Sequence, residues 1–225
     1  DSGAMSELAD RSHTSLQPRL FPPWSRADWI ALALSILAVV VAAWVTVNIF
    51  EATAHLEDEM AYVWQADVIA RGQLTRPSPA DANSFLVPFV VDYQGQRFGK
   101  YPLGWPTLLG IAVALDLRSW INPLLAGIAV WLTYRLGRRI FGVTVGLLGS
   151  LLILSSPFFL MNSGSLLSHP FSLVLSLGFT LAWFDAFVSR QPDGLSLDRE
   201  GAVAWLSRWA RLPTLVGAPW LAALD

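Results

Sequence analysis

The sequence predicts an all-α, polytopic membrane protein: a bundle of transmembrane helices with one long first extracytoplasmic loop that bears juxtamembrane surface helices. Three observations predict it. Only 14% of the 225 residues are charged and 54% are hydrophobic, against about 25% charged in an ordinary soluble domain. The charges lie in the gaps between long apolar runs, as a bilayer demands. The 11 tryptophans suit a chain with several membrane interfaces to anchor. The net charge of -2 gives no reason to expect nucleic acid as a partner. The absence of cysteine excludes disulfides and thiolate zinc sites. Every basic residue is arginine except Lys100.

Residues 1–27 are polar and rich in Ser, Pro and Arg, and read as a disordered cytoplasmic tail. Residues 28–50 form the first transmembrane helix. The run WIALALSILAVVVAAWVTVNIF matches the roughly 20 apolar residues that cross a hydrocarbon core. No small-residue cleavage site follows, so it reads as an uncleaved anchor. Arg11, Arg19 and Arg26 precede it and place the N-terminus in the cytoplasm.

Residues 51–119 are then extracytoplasmic. A surface helix is expected over 56–71, because Leu56, Met60, Val63, Trp64 and Val68 recur at helical spacing and Gly72 stops the run. Its apolar stripe suits the membrane surface. A Pro/Ser/Asn stretch follows, then a short hairpin turning at Gln94 and Gly95. The apolar stretch within 101–116 is short for a span. Were it to cross, Arg135, Arg138 and Arg139 beyond the next span would lie outside; as a second surface helix it leaves them inside. The second reading is preferred. Further spans are expected at about 120–136, 140–161 and 166–188, with a partial one at 203–224 that stops at Asp225 without a flank. The chain therefore reads as a fragment stopped inside or just after a span.

Few residues are placed to carry chemistry. Glu57, Asp58 and Glu59 open the surface helix. Carboxylates are favoured there by capping and the helix dipole; a carboxylate held there also suits a general base. Lys100 in GKYPLGWP is either an interfacial lysine that snorkels or a clamp for a lipid-linked phosphate. His169, before Pro170, is either a residue of a helix start or a substrate contact, and one histidine is a weak metal signal. Trp105, Trp120, Trp131 and Trp183 read as belt and packing residues.

In their order and spacing these pieces resemble the N-terminal half of a GT-C-fold glycosyltransferase, the protein O-mannosyltransferases and lipid A aminoarabinose transferases above all. Three matches over residues 28–188 carry this. They are the Asp58-Glu59 pair in HLEDEMAYVWQA, the Lys-aromatic-Pro element in GKYPLGWP, and YRLGRRIFG followed by SSPFF and SGSLLSHP. The resemblance implies a GT-C-like helix bundle and an inverting transfer of a sugar from a polyprenyl-phosphate donor. The acceptor would be a hydroxyl of a lipid, protein or glycan at the outer face of the cell membrane. It implies Asp58 as base, and Glu59 as the neighbour that positions the acceptor or a divalent metal. Lys100 and Tyr101 would bind the donor phosphate, and His169 would touch substrate. No cofactor beyond that metal is expected. The chain departs from the family at Ser168-His169-Pro170, where aminoarabinose enzymes often carry Asp-Pro, and family members run to several hundred residues. A non-catalytic lipid-binding or assembly protein of the same fold is the rival reading. A transporter fits less well, since the predicted spans carry almost no acidic residue.

Overall fold

The computed structural model describes residues 24–191 and 194–197. The expected tail up to residue 23 and the partial span at 203–224 lie outside the described residues. The chain is mostly helical. In order it forms α1 (Arg26–Asn48), α2 (Glu57–Ala70), β1 (Arg76–Pro77), β2 (Val90–Tyr93), β3 (Gln96–Gly99), α3 (Gly104–Ala114), α4 (Ile121–Phe141), α5 (Val143–Leu154), α6 (Pro157–Gly164), α7 (His169–Phe187), β4 (Val188–Gln191) and β5 (Gly194–Leu197), with short 3-10 turns before β2 and α4.

Among the described residues, two helices are long and apolar enough to cross a membrane: α1, with a mean hydropathy of 2.7, and α7, with 1.4. Helix α1 starts on a capping box, in which Ser25 Oγ accepts from the Asp28 N–H and the Asp28 carboxylate accepts from the Ser25 N–H. Small residues at helical spacing, Ala31, Ser35, Ala38 and Ala42, make up its buried face. They let α4 approach closely. A Cβ on Gly127 of α4 would stand 2.6 Å from Val39 and 3.0 Å from the Ser35 carbonyl. Ala126, Ala129 and Val130 of α4 fill the core between the helices with Leu154 and Phe159.

Contacts at the ends fix how the helices run. At the start of α1, Asp28 Oδ1 accepts from Tyr134 Oη at 2.9 Å and from Arg138 Nη1, both on the last turns of α4. Helices α1 and α4 are therefore antiparallel, and residues 49–120 return to the end they left from. Arg139, also at the end of α4, pairs with Asp185 at 3.3 Å at the end of α7. At the opposite end, Gly164 packs against Val45 and Thr46 of α1.

Two expectations are corrected. The protein is not purely α: β1, β3 and β2 form an antiparallel three-stranded sheet, and β4 pairs with β5. The hairpin turns at Gln94 and Gly95, as the sequence predicts, with φ of +49° and +74° that suit a two-residue turn. However, Arg76–Pro77 adds a third strand too short for any periodicity to announce. The span expected over 140–161 is broken, because α5 and α6 meet at a 63° bend. Pro157 cannot continue the α5 hydrogen-bond ladder, and Ser156 caps a new helix there. Helix α4, expected as a span over 120–136, runs to Phe141 and carries three arginines in its last two turns, and it is not among the apolar candidates. On α2, Leu56 and Met60 of the apolar stripe are exposed, whereas Val68 is buried with Glu59, Ala61, Tyr62, Gln65 and Ala66.

Candidate active site

Helix α2 organises the site. It lies at the end of the bundle where α1 finishes and packs on α3, where a Cβ on Gly110 would stand 3.0 Å from the Ala66 carbonyl. Its inward face is polar at one-turn intervals, and each polar group holds a different part of the molecule. Gln65, fully buried, accepts from the Gly99 N–H at 2.7 Å and donates to the Leu74 carbonyl at 2.9 Å. This fixes the end of β3, and with it Lys100 and Tyr101.

One turn earlier, Tyr62 packs its ring on Tyr101, with centroids 4.7 Å apart, and its hydroxyl lies 3.5 Å from Ser168 Oγ. Another turn earlier, Asp58 Oδ1 accepts a hydrogen bond from the Tyr101 hydroxyl. Asp58 Oδ2 has no partner among the described residues. The Tyr101 phenol is pushed well above its ordinary value, first by burial and then by the Asp58 carboxylate, with Tyr62 and Glu57 adding to the effect. The phenol therefore stays a donor to Asp58.

Lys100 is exposed and stands over two rings. Its Nζ is 3.2 Å from the Phe89 centroid and 4.8 Å from that of Tyr101. Phe89 adopts a left-handed φ of +58°, which costs a bulky residue about 1–3 kcal/mol. Its carbonyl accepts from the Lys100 N–H at 3.0 Å, which helps hold the ring beneath the ammonium. An exposed cation–π contact contributes only about 0.5–1 kcal/mol, so the ammonium is free to move to a stronger anionic partner. Asp58, Tyr101 and Lys100 thus form one cluster, joined through the Tyr101 side chain.

Glu59 turns the other way. It is fully buried. Its Oε1 accepts from the Leu166 N–H at 2.8 Å, and its Oε2 accepts from His55 N–H at 2.8 Å and Leu56 N–H at 3.2 Å. It caps α2 and at the same time ties that helix to residues 165–168, the turn between α6 and α7. Two further side chains hold the same turn. Trp105 Nε1 donates to the Leu166 carbonyl at 3.1 Å, and Asn122 Nδ2 donates to the Ser165 and Leu167 carbonyls at 2.6 and 2.9 Å. Trp105, read from sequence as a belt or packing residue, is buried and polar in its work. Trp120 and Trp183 are exposed, as belt residues would be.

His169 opens α7 and is not part of the Asp58 cluster. It lines an apolar cleft of about 290 Å³ with Phe158, Phe159, Asn162, Pro170 and Leu173, beside the α5–α6 bend. Its neighbour Ser168 connects that cleft to Tyr62. Among the described residues, no group of three or more His, Asp or Glu side chains converges as a metal site. The residues missed from sequence are Tyr62, Gln65 and Asn122. None had a local signal: each is defined by a partner far along the chain.

The chain stands apart in comparison with known proteins: no family model matches it, and neither a curated protein nor a solved structure shows significant similarity.

Proposed function

We propose that this chain is a membrane-embedded GT-C-type glycosyltransferase, or the N-terminal part of one. It moves a sugar from a polyprenyl-phosphate donor to an acceptor hydroxyl at the outer face of the cell membrane. The observation that carries the reading is the convergence of Asp58, Tyr101 and Lys100 beside helices of membrane-crossing length. On this reading α1, α4, the bent α5–α6 pair and α7 all lie in the bilayer. The arginines at the end of α4 favour the cytoplasmic side, which leaves α2, α3 and the sheet outside.

In the reaction, the free Oδ2 of Asp58 takes the proton of the acceptor hydroxyl. The acceptor oxygen forms a bond to the anomeric carbon from the face opposite the phosphate, so the configuration inverts. The bond from that carbon to the phosphate oxygen breaks, and the electron pair leaves with the polyprenyl phosphate. Lys100 moves from Phe89 to neutralise the charge that develops there. Tyr101 keeps the Asp58 carboxylate oriented through Oδ1. A Glu59 with three backbone donors is a positioning residue, not a second base.

The test uses the full chain in proteoliposomes supplied with polyprenyl-phosphate mannose or aminoarabinose. Asp58→Asn is expected to lower transfer about 100-fold or more, the range for a lost general base, while donor binding persists. Transfer that survives in Asp58→Asn overturns the base assignment. The rival reading, a lipid-binding protein that does no chemistry, is favoured if the wild-type chain binds polyprenyl phosphate and releases no sugar from any donor.

A further inference from the structure

The opposite end of the bundle, remote from the Asp58 cluster, carries a second chemistry-bearing group of side chains. The rings of Trp24, Trp29, Trp131 and Tyr134 form a continuous series, with centroids 5.1 Å apart for Trp24 and Trp29, 5.5 Å for Trp24 and Trp131, and 5.7 Å for Trp131 and Tyr134. Trp24 and Trp29 are 50% and 60% exposed and Tyr134 is fully buried, so the series runs from the surface into the core. It joins the start of α1 to α4, and indole rings sit best between hydrocarbon and water.

Among the described helices, charge at this end is unbalanced. Helices α1, α4 and α7 contribute Arg26, Arg135, Arg138 and Arg139 against Asp28 and Asp185. Both acids are occupied, Asp28 by Arg138 and Asp185 by Arg139. Arg26 and Arg135 are exposed and have no ion pair among the described residues. Arg26 lies between Trp24 and Trp29 on the chain, and Arg135 stands about one turn beyond Trp131 on α4.

The geometry points to a binding site for an anionic phospholipid, with its phosphate between Arg26 and Arg135 and its chains lying against Trp24, Trp29 and Trp131. The occupant is a membrane lipid and not a soluble phosphate, because the rings supply apolar contact that only acyl chains can use, and because α1 continues from the site as an apolar helix whose Trp29, Ile30, Ile36 and Leu37 are exposed. The inference rests on the membrane reading of α1 and is independent of any transfer activity.

Three of the chain's 11 tryptophans lie at the site and report on it. The full chain is reconstituted in phosphatidylcholine bilayers, and tryptophan quenching is compared when the brominated lipid is phosphatidylglycerol or phosphatidylcholine at equal mole fraction. Brominated phosphatidylglycerol is expected to quench more, and the preference to fall as salt rises. Each of R26Q and R135Q is expected to reduce the relative affinity about five-fold, as for one arginine near an anionic surface. Trp24→Phe in the same bilayers removes one reporter and is expected to reduce the quenched amplitude. Equal quenching by the two lipids in the wild-type chain overturns the proposal. So does a preference that R26Q/R135Q leaves unchanged while circular dichroism stays native. Competition by millimolar glycerol phosphate would replace the lipid by a soluble anion and also overturn it. None of these readouts uses sugar transfer, so this proposal and the glycosyltransferase reading fail separately.

Discussion

Glu59→Gln separates an architectural carboxylate from a catalytic one. The wild-type carboxylate has no exposure and accepts from three backbone N–H groups, those of His55, Leu56 and Leu166. The amide keeps one acceptor oxygen and turns an NH2 donor toward N–H groups that are themselves donors. At least one charge-assisted bond, about 1.5–3 kcal/mol, is lost, and a buried N–H left without an acceptor costs about 1–3 kcal/mol more. A total of about 3 kcal/mol is expected, which corresponds to roughly 100-fold in an opening equilibrium. The assay is hydrogen–deuterium exchange on the full chain in bilayer discs, read on peptides covering residues 55–59 and 163–168. Both segments should exchange faster together, although they are 107 positions apart. Asp58→Asn is the control. Its Oδ1 still accepts from Tyr101, so the change in stability should stay within about 1 kcal/mol. Unchanged exchange in Glu59→Gln, or equal acceleration in Asp58→Asn, would refute the clamp.

Two other predictions concern packing and titration. Gly146→Ala should destabilise by about 1–3 kcal/mol, because its Cβ would stand 2.7 Å from the Tyr134 carbonyl oxygen and 2.8 Å from the Arg138 nitrogen, both backbone atoms that cannot swing aside. Gly178→Ala in α7 meets nothing within 4 Å and should be neutral or stabilising by up to about 1 kcal/mol; denaturant midpoints in detergent compare the pair. For Tyr101, the folded phenol titrates above its ordinary value of 10.0. The unfolded chain thus releases that proton first as pH rises. The stabilisation it gives is fully present below about pH 10, the ordinary tyrosine value, and is lost as pH climbs through the folded value. Tyr101→Phe should flatten that alkaline loss, and tyrosinate absorbance should lose its late-titrating step. An alkaline profile that does not change in Tyr101→Phe would count against the Asp58–Tyr101 contact.

The elements that were legible in the sequence are those with a local cause. A long apolar run behind Ser25 and Asp28 announced α1, the Asp-Glu start and Gly72 bracketed α2, and Gln94-Gly95 announced the β2–β3 turn. The Lys100–Tyr101 element stood out in the sequence as a motif, and in the fold the Tyr101 hydroxyl donates to Asp58. The break at Pro157 was written in the sequence but hidden by hydropathy, since α5 and α6 are both apolar and only the proline separates them. Hydrophobic spacing picks out Leu56 and Met60 and gives no sign that Tyr62 and Gln65 lie on the buried side of α2. In the fold, those two polar residues reach partners on β3 and beside α7. No periodicity carries such information. Glu59 stands next to Asp58 and has the same chemistry; only helix geometry sends one carboxylate outward and the other in.

The turn at residues 165–168 also has a consequence for the order of assembly. It is held from outside by Glu59, Trp105 and Asn122, which belong to three earlier helices. As the chain emerges from the ribosome, α2 and α3 are made well before the turn that uses their buried polar groups. Until then Glu59 has only the local donors of His55 and Leu56, and Asn122 has no carbonyl from this turn to reach. The outer layer therefore cannot settle as a unit when it is first synthesised. It must wait for α6 to return to the end where α1 finishes, and closing so long a loop is slow compared with forming any one helix. A mutation at Pro157 that straightened the α5–α6 pair would delay that return, and would be felt first in a surface helix some hundred residues upstream.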